Sequence, residues 1–146
     1  MRTITITHDM TQMDWGQLNE IYRAERAKDR DAATLRAAFA GSHGVVFALE
    51  NGRIVGAARA ISDGVSISTV IDVAVAFDAQ GIGVGRAMME ALLRQLPDGK
   101  VYLATIPGKE GFYEKLGFST QGGAMALGAG GDRLDLLSRI GKTELQ

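Results

Sequence analysis

Three alternating glycines lie between an apolar run and a helix-patterned run, in Gln80-Gly81-Ile82-Gly83-Val84-Gly85-Arg86. Upstream, Val70, Ile71, Val73, Ala74, Val75, Ala76 and Phe77 read as a buried strand interrupted only by Asp72. Downstream, Val84, Met88, Met89, Leu92, Leu93 and Leu96 recur at helical spacing, with Arg86, Glu90 and Arg94 on the opposite face. A strand that runs through glycines into a helix start presents unpaired backbone N–H groups and the positive end of the helix dipole. Both attract phosphate. A side chain in such a loop would hold the phosphate oxygens away from the amides. Asp72 is the one ionisable group inside the strand, and a buried carboxylate there needs a partner or a raised pKa. It reads as a base acting through water, as a contact for a substrate ammonium, or as a structural hydrogen-bond acceptor.

Two well-known phosphate loops do not fit. The dinucleotide pattern G-x-G-x-x-G needs glycine at 86 or 88, where the chain has Arg86 and Met88. The nucleoside-triphosphate loop needs Gly-Lys-Ser/Thr, and Gly85-Arg86-Ala87 does not supply it. A Q-x-x-G-x-G loop after Asp72-Val73-Ala74-Val75 instead resembles the pyrophosphate loop of the GNAT superfamily of N-acetyltransferases. Farther on, Gly111-Phe112-Tyr113-Glu114-Lys115-Leu116-Gly117-Phe118 resembles that family's "FYEKLGF" segment. The resemblance covers about residues 3–127 of a chain read as a single domain over 1–146, with 128–146 as a variable tail.

The resemblance implies a reaction and a set of residues. Acetyl would pass from acetyl-CoA to a primary amine by direct attack in a ternary complex, without a metal. The backbones of Val73 and Val75 would pair with the pantetheine arm in a gap between two splayed parallel strands, 69–77 and 100–105. One of those amides would face the acetyl oxygen. Gln80, Gly81, Ile82, Gly83, Val84, Gly85 and Arg86 would hold the pyrophosphate, and Phe112 joins the cofactor set. Arg86 could add a charge-assisted contact or simply pair with Glu90 on a solvated helix face. Tyr113 corresponds to the general acid toward the departing thiolate, or else is a packing aromatic. A phenol of pKa about 10 needs favourable geometry and desolvation to protonate a thiolate whose acid lies near 8.5.

The family's usual base positions carry Ser68-Thr69 and Thr105-Ile106, so neither usual carboxylate is present. Asp72 is the substitute candidate. Segment 59–64 with Asp72-Val73 is also similar to small arylalkylamine (serotonin-type) acetyltransferases, although the plant group's acidic residue before the tyrosine is missing. The acceptor is expected to be a small-molecule amine, with a protein lysine or N-terminus as an alternative. A non-catalytic acyl-CoA sensor is the rival class: Tyr113 argues against it, and the missing base argues for it.

Composition sets limits. At 146 residues one domain buries about two-thirds of its unfolded surface. A net charge of −1 offers no global basic field for nucleic acid or an anionic membrane. The absence of cysteine excludes disulfides, thiolate metal sites and a cysteinyl acetyl-enzyme. No apolar stretch approaches the roughly 20 residues of a membrane span. A cytoplasmic protein is the expectation, and a homodimer stays open.

Positioning these groups requires an α/β (α+β) arrangement with a mixed, mostly antiparallel sheet, a splayed parallel pair and about four helices. Ile4 and Ile6 alternate as a first strand, and residues 11–14 can cap a helix continued by Trp15, Leu18, Ile21 and Tyr22. A charged connector follows, read mostly as solvated, and then a short helix with Leu35, Ala38 and Phe39 inward, ending at Gly41. Asn51-Gly52 marks a hairpin and Asp63-Gly64 a second turn. A strand over 101–105, a helix over 110–116 and a last strand from Phe118 complete the order. Beyond them, Leu134, Leu136, Leu137 and Ile140 suit either a helix or a strand.

Overall fold

Two aspartates start the first two helices. The Asp14 carboxylate accepts from the Gln17 N–H (3.0 Å) at α1 (Trp15–Arg26), and Asp31 accepts from the Thr34 N–H (2.7 Å) at α2 (Ala32–Ala40). The computed structural model describes residues 2–127 and 138–139. Residues up to Lys109 form one compact unit, and those from Glu110 form another.

Within the first unit, β1 (Thr5–Thr7), β2 (Gly44–Glu50), β3 (Arg53–Ser62), β4 (Ile67–Val75) and β5 (Lys100–Leu103) form one sheet in chain order. Every pairing is antiparallel except β4 with β5. Asn51 (φ 50°) and Gly52 (φ 76°) both take the left-handed region, as the hairpin's primed turn requires. α1 and α2 bury Leu18, Ile21, Tyr22, Leu35 and Phe39 against Phe47, Ala57 and Ala74 of the sheet. Trp15, Phe39 and Phe47 meet there with ring centroids 5.4–6.0 Å apart.

The other face receives α3 (Val84–Leu93), whose buried side is Val84, Met88, Met89 and Leu92. Its contact with β3 is close enough to require glycine. A Cβ on Gly56 would lie 2.7 Å from the Met88 sulfur and 3.1 Å from the Ala74 carbonyl.

β4 carries one surplus residue. Ile71 pairs with Arg59 and Ala74 with Ala57, so β4 spends three steps where β3 spends two. Asp72 absorbs the difference at φ 57°. Val70 sits opposite Ala60 and Ala74 opposite Ala57. Those β3 residues are three apart and face opposite sides, so Val70 and Ala74 do too, although they are four apart on β4. What reads in the sequence as a continuous buried strand is thus two half-strands joined at a bulge, with Val73 and Val75 only half-buried.

The strand also ends earlier than its hydrophobicity suggests. The Ala79 N–H turns back to the Ala76 carbonyl (2.8 Å), and Phe77 sits in a 3₁₀ turn (Phe77–Ala79), 80% exposed. β5 stops at Leu103, and α4 (Glu110–Glu114) is two residues shorter than expected. The strand expected from Phe118 does not form, and residues 118–127 hold no strand. The Phe118 N–H is used to cap α4 (below). Leu134, Leu136, Leu137 and Ile140 lie outside the described residues.

Candidate active site

β5 pairs with only the first part of β4. The register runs from Ile67↔Lys100 to Val70↔Leu103, and β4 then continues through Val75 without β5 beside it. The parallel pair expected to splay therefore does part, over a shorter overlap than expected. The Ala76 N–H donates to the Val55 carbonyl (2.8 Å), which makes Gly56–Val75 a non-hydrogen-bonded pair. The N–H and C=O of Val75 accordingly point away from β3, toward the side that β5 has left. The Val75 carbonyl accepts from the Gln80 side-chain amide (2.9 Å), and the same amide donates to Glu25 (3.1 Å). Gln80 thus ties the loop to β4 and α1 through its side chain.

The loop itself is a glycine structure by conformation. Gly81 (φ 79°) and Gly83 (φ 91°) are left-handed, and a Cβ on either would meet nothing within 4 Å. Gly83 is the N-cap of α3, and its carbonyl accepts from the Ala87 N–H (3.1 Å). The N–H groups of Val84, Gly85 and Arg86 fall in the first helical turn, where no carbonyl one turn earlier can accept them. Arg86 pairs with Glu90 (3.0 Å) along the exposed face of the helix. These residues fit a pyrophosphate group: free amides at a helix start, open space, and no acidic side chain in the loop.

At the bulge the chain gathers cations. The Asp72 carboxylate, 1% exposed, accepts from Arg59 Nε (2.7 Å), Arg30 Nη1 (2.9 Å) and Lys28 Nζ (3.0 Å). Its backbone carbonyl accepts from the buried Tyr22 hydroxyl (2.6 Å), and the next carbonyl, of Val73, accepts from Arg26 Nε (2.7 Å). Burial pushes the Asp72 carboxyl up, but the hydrogen bonds from Arg30, Arg59 and Lys28 outweigh it and hold the group well below the usual carboxylate range. Burial, and then the Asp72 charge, push the Tyr22 phenol far up, so it stays a donor. A carboxylate so held is a poor proton acceptor and a strong anchor. Of the roles open to Asp72 in the sequence, the geometry favours the structural one.

The signal for this cluster was available: a lone aspartate in an apolar strand calls for a cation. Which cations answer it was not readable, because the connector with Arg26, Lys28 and Arg30 has no periodicity and looks solvated.

Asp72→Asn should therefore act on stability first. Removing one partner of a buried ion cluster costs about 3–5 kcal/mol, which in a chain of this size lowers the melting temperature by roughly 6–20 °C. The sign with pH follows from the depressed pKa. The contribution is complete above the unfolded carboxylate range, near pH 4, and is lost as pH falls through the folded value. Thermal melts of parent and variant should differ most at neutral pH and converge in acid.

In the second unit, Tyr113 is buried on α4 with Phe112 and Phe118 edge-on to its ring, at 4.9 and 5.9 Å. The helix ends in a glycine cap: the Phe118 N–H donates to the Tyr113 carbonyl (3.1 Å) and the Gly117 N–H to the Glu114 carbonyl (3.0 Å), with Gly117 at φ 101°. The F-Y-E-K-L-G-F string is thus one helical turn, its cap and the aromatic contact that accompanies the cap.

A family model described as "Acetyltransferase (GNAT) domain" matches residues 41–120. The chain is 36% identical over 127 residues to "Serotonin N-acetyltransferase 2, chloroplastic" of Oryza sativa subsp. japonica, covering 81% of this chain and 62% of that protein. It spans less than two-thirds of the length of the curated relatives it matches. A putative acetyltransferase from Deinococcus radiodurans R1 shares the fold with a TM-score of 0.76 at 23% identity, over 86% of this chain and 88% of that one. Arabidopsis thaliana Naa50, solved with the bisubstrate analogue CoA-Ac-MVNAL, gives a TM-score of 0.64 at 18% identity, over 81% and 84%. The matched stretch takes in the strand that outruns its parallel neighbour, the glycine turn into α3 and the capped aromatic turn, and the chain belongs to the GNAT acetyltransferase family.

Proposed function

We propose that this protein, a single acetyltransferase domain, moves acetyl from acetyl-CoA to a primary amine by direct attack in a ternary complex. The observation that carries the reading is the free length of β4 followed, after one 3₁₀ turn, by the glycine N-cap of α3. In this reading the amides of residues 81–86 hold the pyrophosphate. The backbone of Val75, with the N–H of Val73, whose carbonyl Arg26 already holds, takes the pantetheine arm as an absent β-strand would. Phe112 keeps the cofactor role that the family resemblance implies, and acetyl-CoA supplies the activated thioester. Gln80 acts by fixing the loop rather than by touching phosphate, since its side-chain amide already serves Val75 and Glu25.

The acceptor must arrive with a lone pair. Its nitrogen bonds to the acetyl carbon as the carbon–sulfur bond breaks, and the electron pair of that bond leaves on sulfur. The nitrogen releases its proton to water, and the Tyr113 hydroxyl protonates the sulfur and is itself restored from solvent. With Asp72 held as an anion by three cations, no carboxylate is assigned as base. The bisubstrate analogue held by Naa50 supports a shared cleft for both substrates, and the name of the rice relative supports a small amine as acceptor.

The test is release of free thiol from acetyl-CoA with a panel of amines that includes an arylalkylamine, an amino acid and a peptide N-terminus. Acetylation of at least one acceptor is expected. Tight acetyl-CoA binding with no acceptor consumed would favour the sensor instead.

A further inference from the structure

Four cationic side chains converge on the bulge of β4, and a single carboxylate answers them. Lys28, Arg30 and Arg59 meet on Asp72, and Arg26 on the Val73 carbonyl. The neighbouring acids are engaged elsewhere. Glu25 accepts from Gln80, Asp29 from Asn19, and Asp31 caps α2. Where these side chains meet on Asp72, three positive charges face one negative. Arg30 makes the imbalance concrete: its Nε and Nη2 are buried with no hydrogen-bond partner, and the guanidinium lies over the Tyr22 ring at 4.8 Å. Buried donors without acceptors are costly, more so when charged. Lys28 is about half exposed, so the cluster opens to solvent at one edge.

We propose that the acceptor amine bears an anionic group on the same molecule, a carboxylate or a phosphate, which docks on Lys28 and Arg30 beside the β4 bulge. The proposal rests on the acetyl-transfer reading and names its substrate class. A lone ammonium approaching this bulge meets net positive charge and is repelled. An amine that brings its own anion is held, and the same field favours loss of the ammonium proton. That is the deprotonation for which no carboxylate base was found.

The rival seat is the groove of about 380 Å³ lined by Ile21, Ala24, Ile54, Glu20, Glu25 and Asp78. Its acids suit a plain cation, but Glu25 is bonded to Gln80 and Asp78 to Arg53.

The experiment is calorimetric titration of the full chain, saturated with CoA, with two matched pairs: tryptophan against tryptamine, and O-phosphoethanolamine against ethanolamine. The anionic member of one pair should bind at least tenfold more tightly, and which pair responds tells carboxylate from phosphate. Lys28→Gln leaves Arg30 and Arg59 on Asp72 and should erase the preference without changing CoA affinity, which shows that the variant is folded. Asp72→Asn removes a competing negative charge and should strengthen anion binding even as it destabilises the fold, an outcome no purely structural role gives. Equal or stronger binding of tryptamine and ethanolamine, binding of neither member, or a preference untouched by Lys28→Gln would overturn the proposal. Failure of the acetyl-transfer reading looks different: CoA itself does not bind, or no acceptor releases thiol.

Discussion

Gly83→Val is expected to lose acetyl-CoA affinity by about 100-fold or more in calorimetry, while the chain still folds. Hydrogen bonds to a charged group contribute roughly 1.5–3 kcal/mol each, and a 100-fold change corresponds to about 2.7 kcal/mol. Displacing one or two loop amides is therefore enough. Valine at φ 91° is strained by conformation rather than by collision, since a Cβ there meets nothing within 4 Å. The backbone relieves that strain by rotating out of the left-handed region, which redirects the first-turn amides of α3. A left-handed L-residue costs on the order of 1–2 kcal/mol, so the melting temperature should fall by only about 2–8 °C. Unchanged affinity in a folded Gly83→Val protein would remove the loop from the cofactor site.

Tyr113→Phe should lower turnover by about 100-fold, the range for loss of a general acid, with acetyl-CoA affinity unaltered. Both edge-on ring contacts, to Phe112 and Phe118, survive the substitution, and the α4 cap uses only the Tyr113 backbone carbonyl. The substitution removes the phenolic hydroxyl and leaves those contacts in place. A fully active variant would mean that solvent or the substrate protonates the thiolate, leaving Tyr113 a packing role.

Much of this molecule is legible in the sequence because its signals are local. Asp14 marks a helix start, Asn51-Gly52 forces one hairpin, and α3 buries the apolar stripe that its spacing prescribes. Gly81 and Gly83 are where left-handed backbone demands them, while Gly85 lies in the first turn of α3. The bulge at Asp72 was not legible, because an extra residue in a strand leaves composition and apolar content unchanged. Only pairing with β3 reveals it. The end of β4 was missed for a related reason: Ala76 and Phe77 are as apolar as the strand before them, and the stop comes from a backbone turn. The cation cluster brings Arg26, Lys28 and Arg30 to residues more than 40 positions away, beyond the reach of any periodicity.

The surplus residue in β4 leaves the register of the sheet as a regular strand would have it. Removing one residue between Ile71 and Ala74 would match two steps of β4 to the two steps of β3 between Arg59 and Ala57, so both halves would keep their partners and their faces. Such a deletion would instead take away the left-handed turn at Asp72, and with it the carbonyls of Asp72 and Val73 that the bulge offers to Tyr22 and Arg26. The extra residue is thus a fastening point for α1, inserted without disturbing the pairing on either side of it.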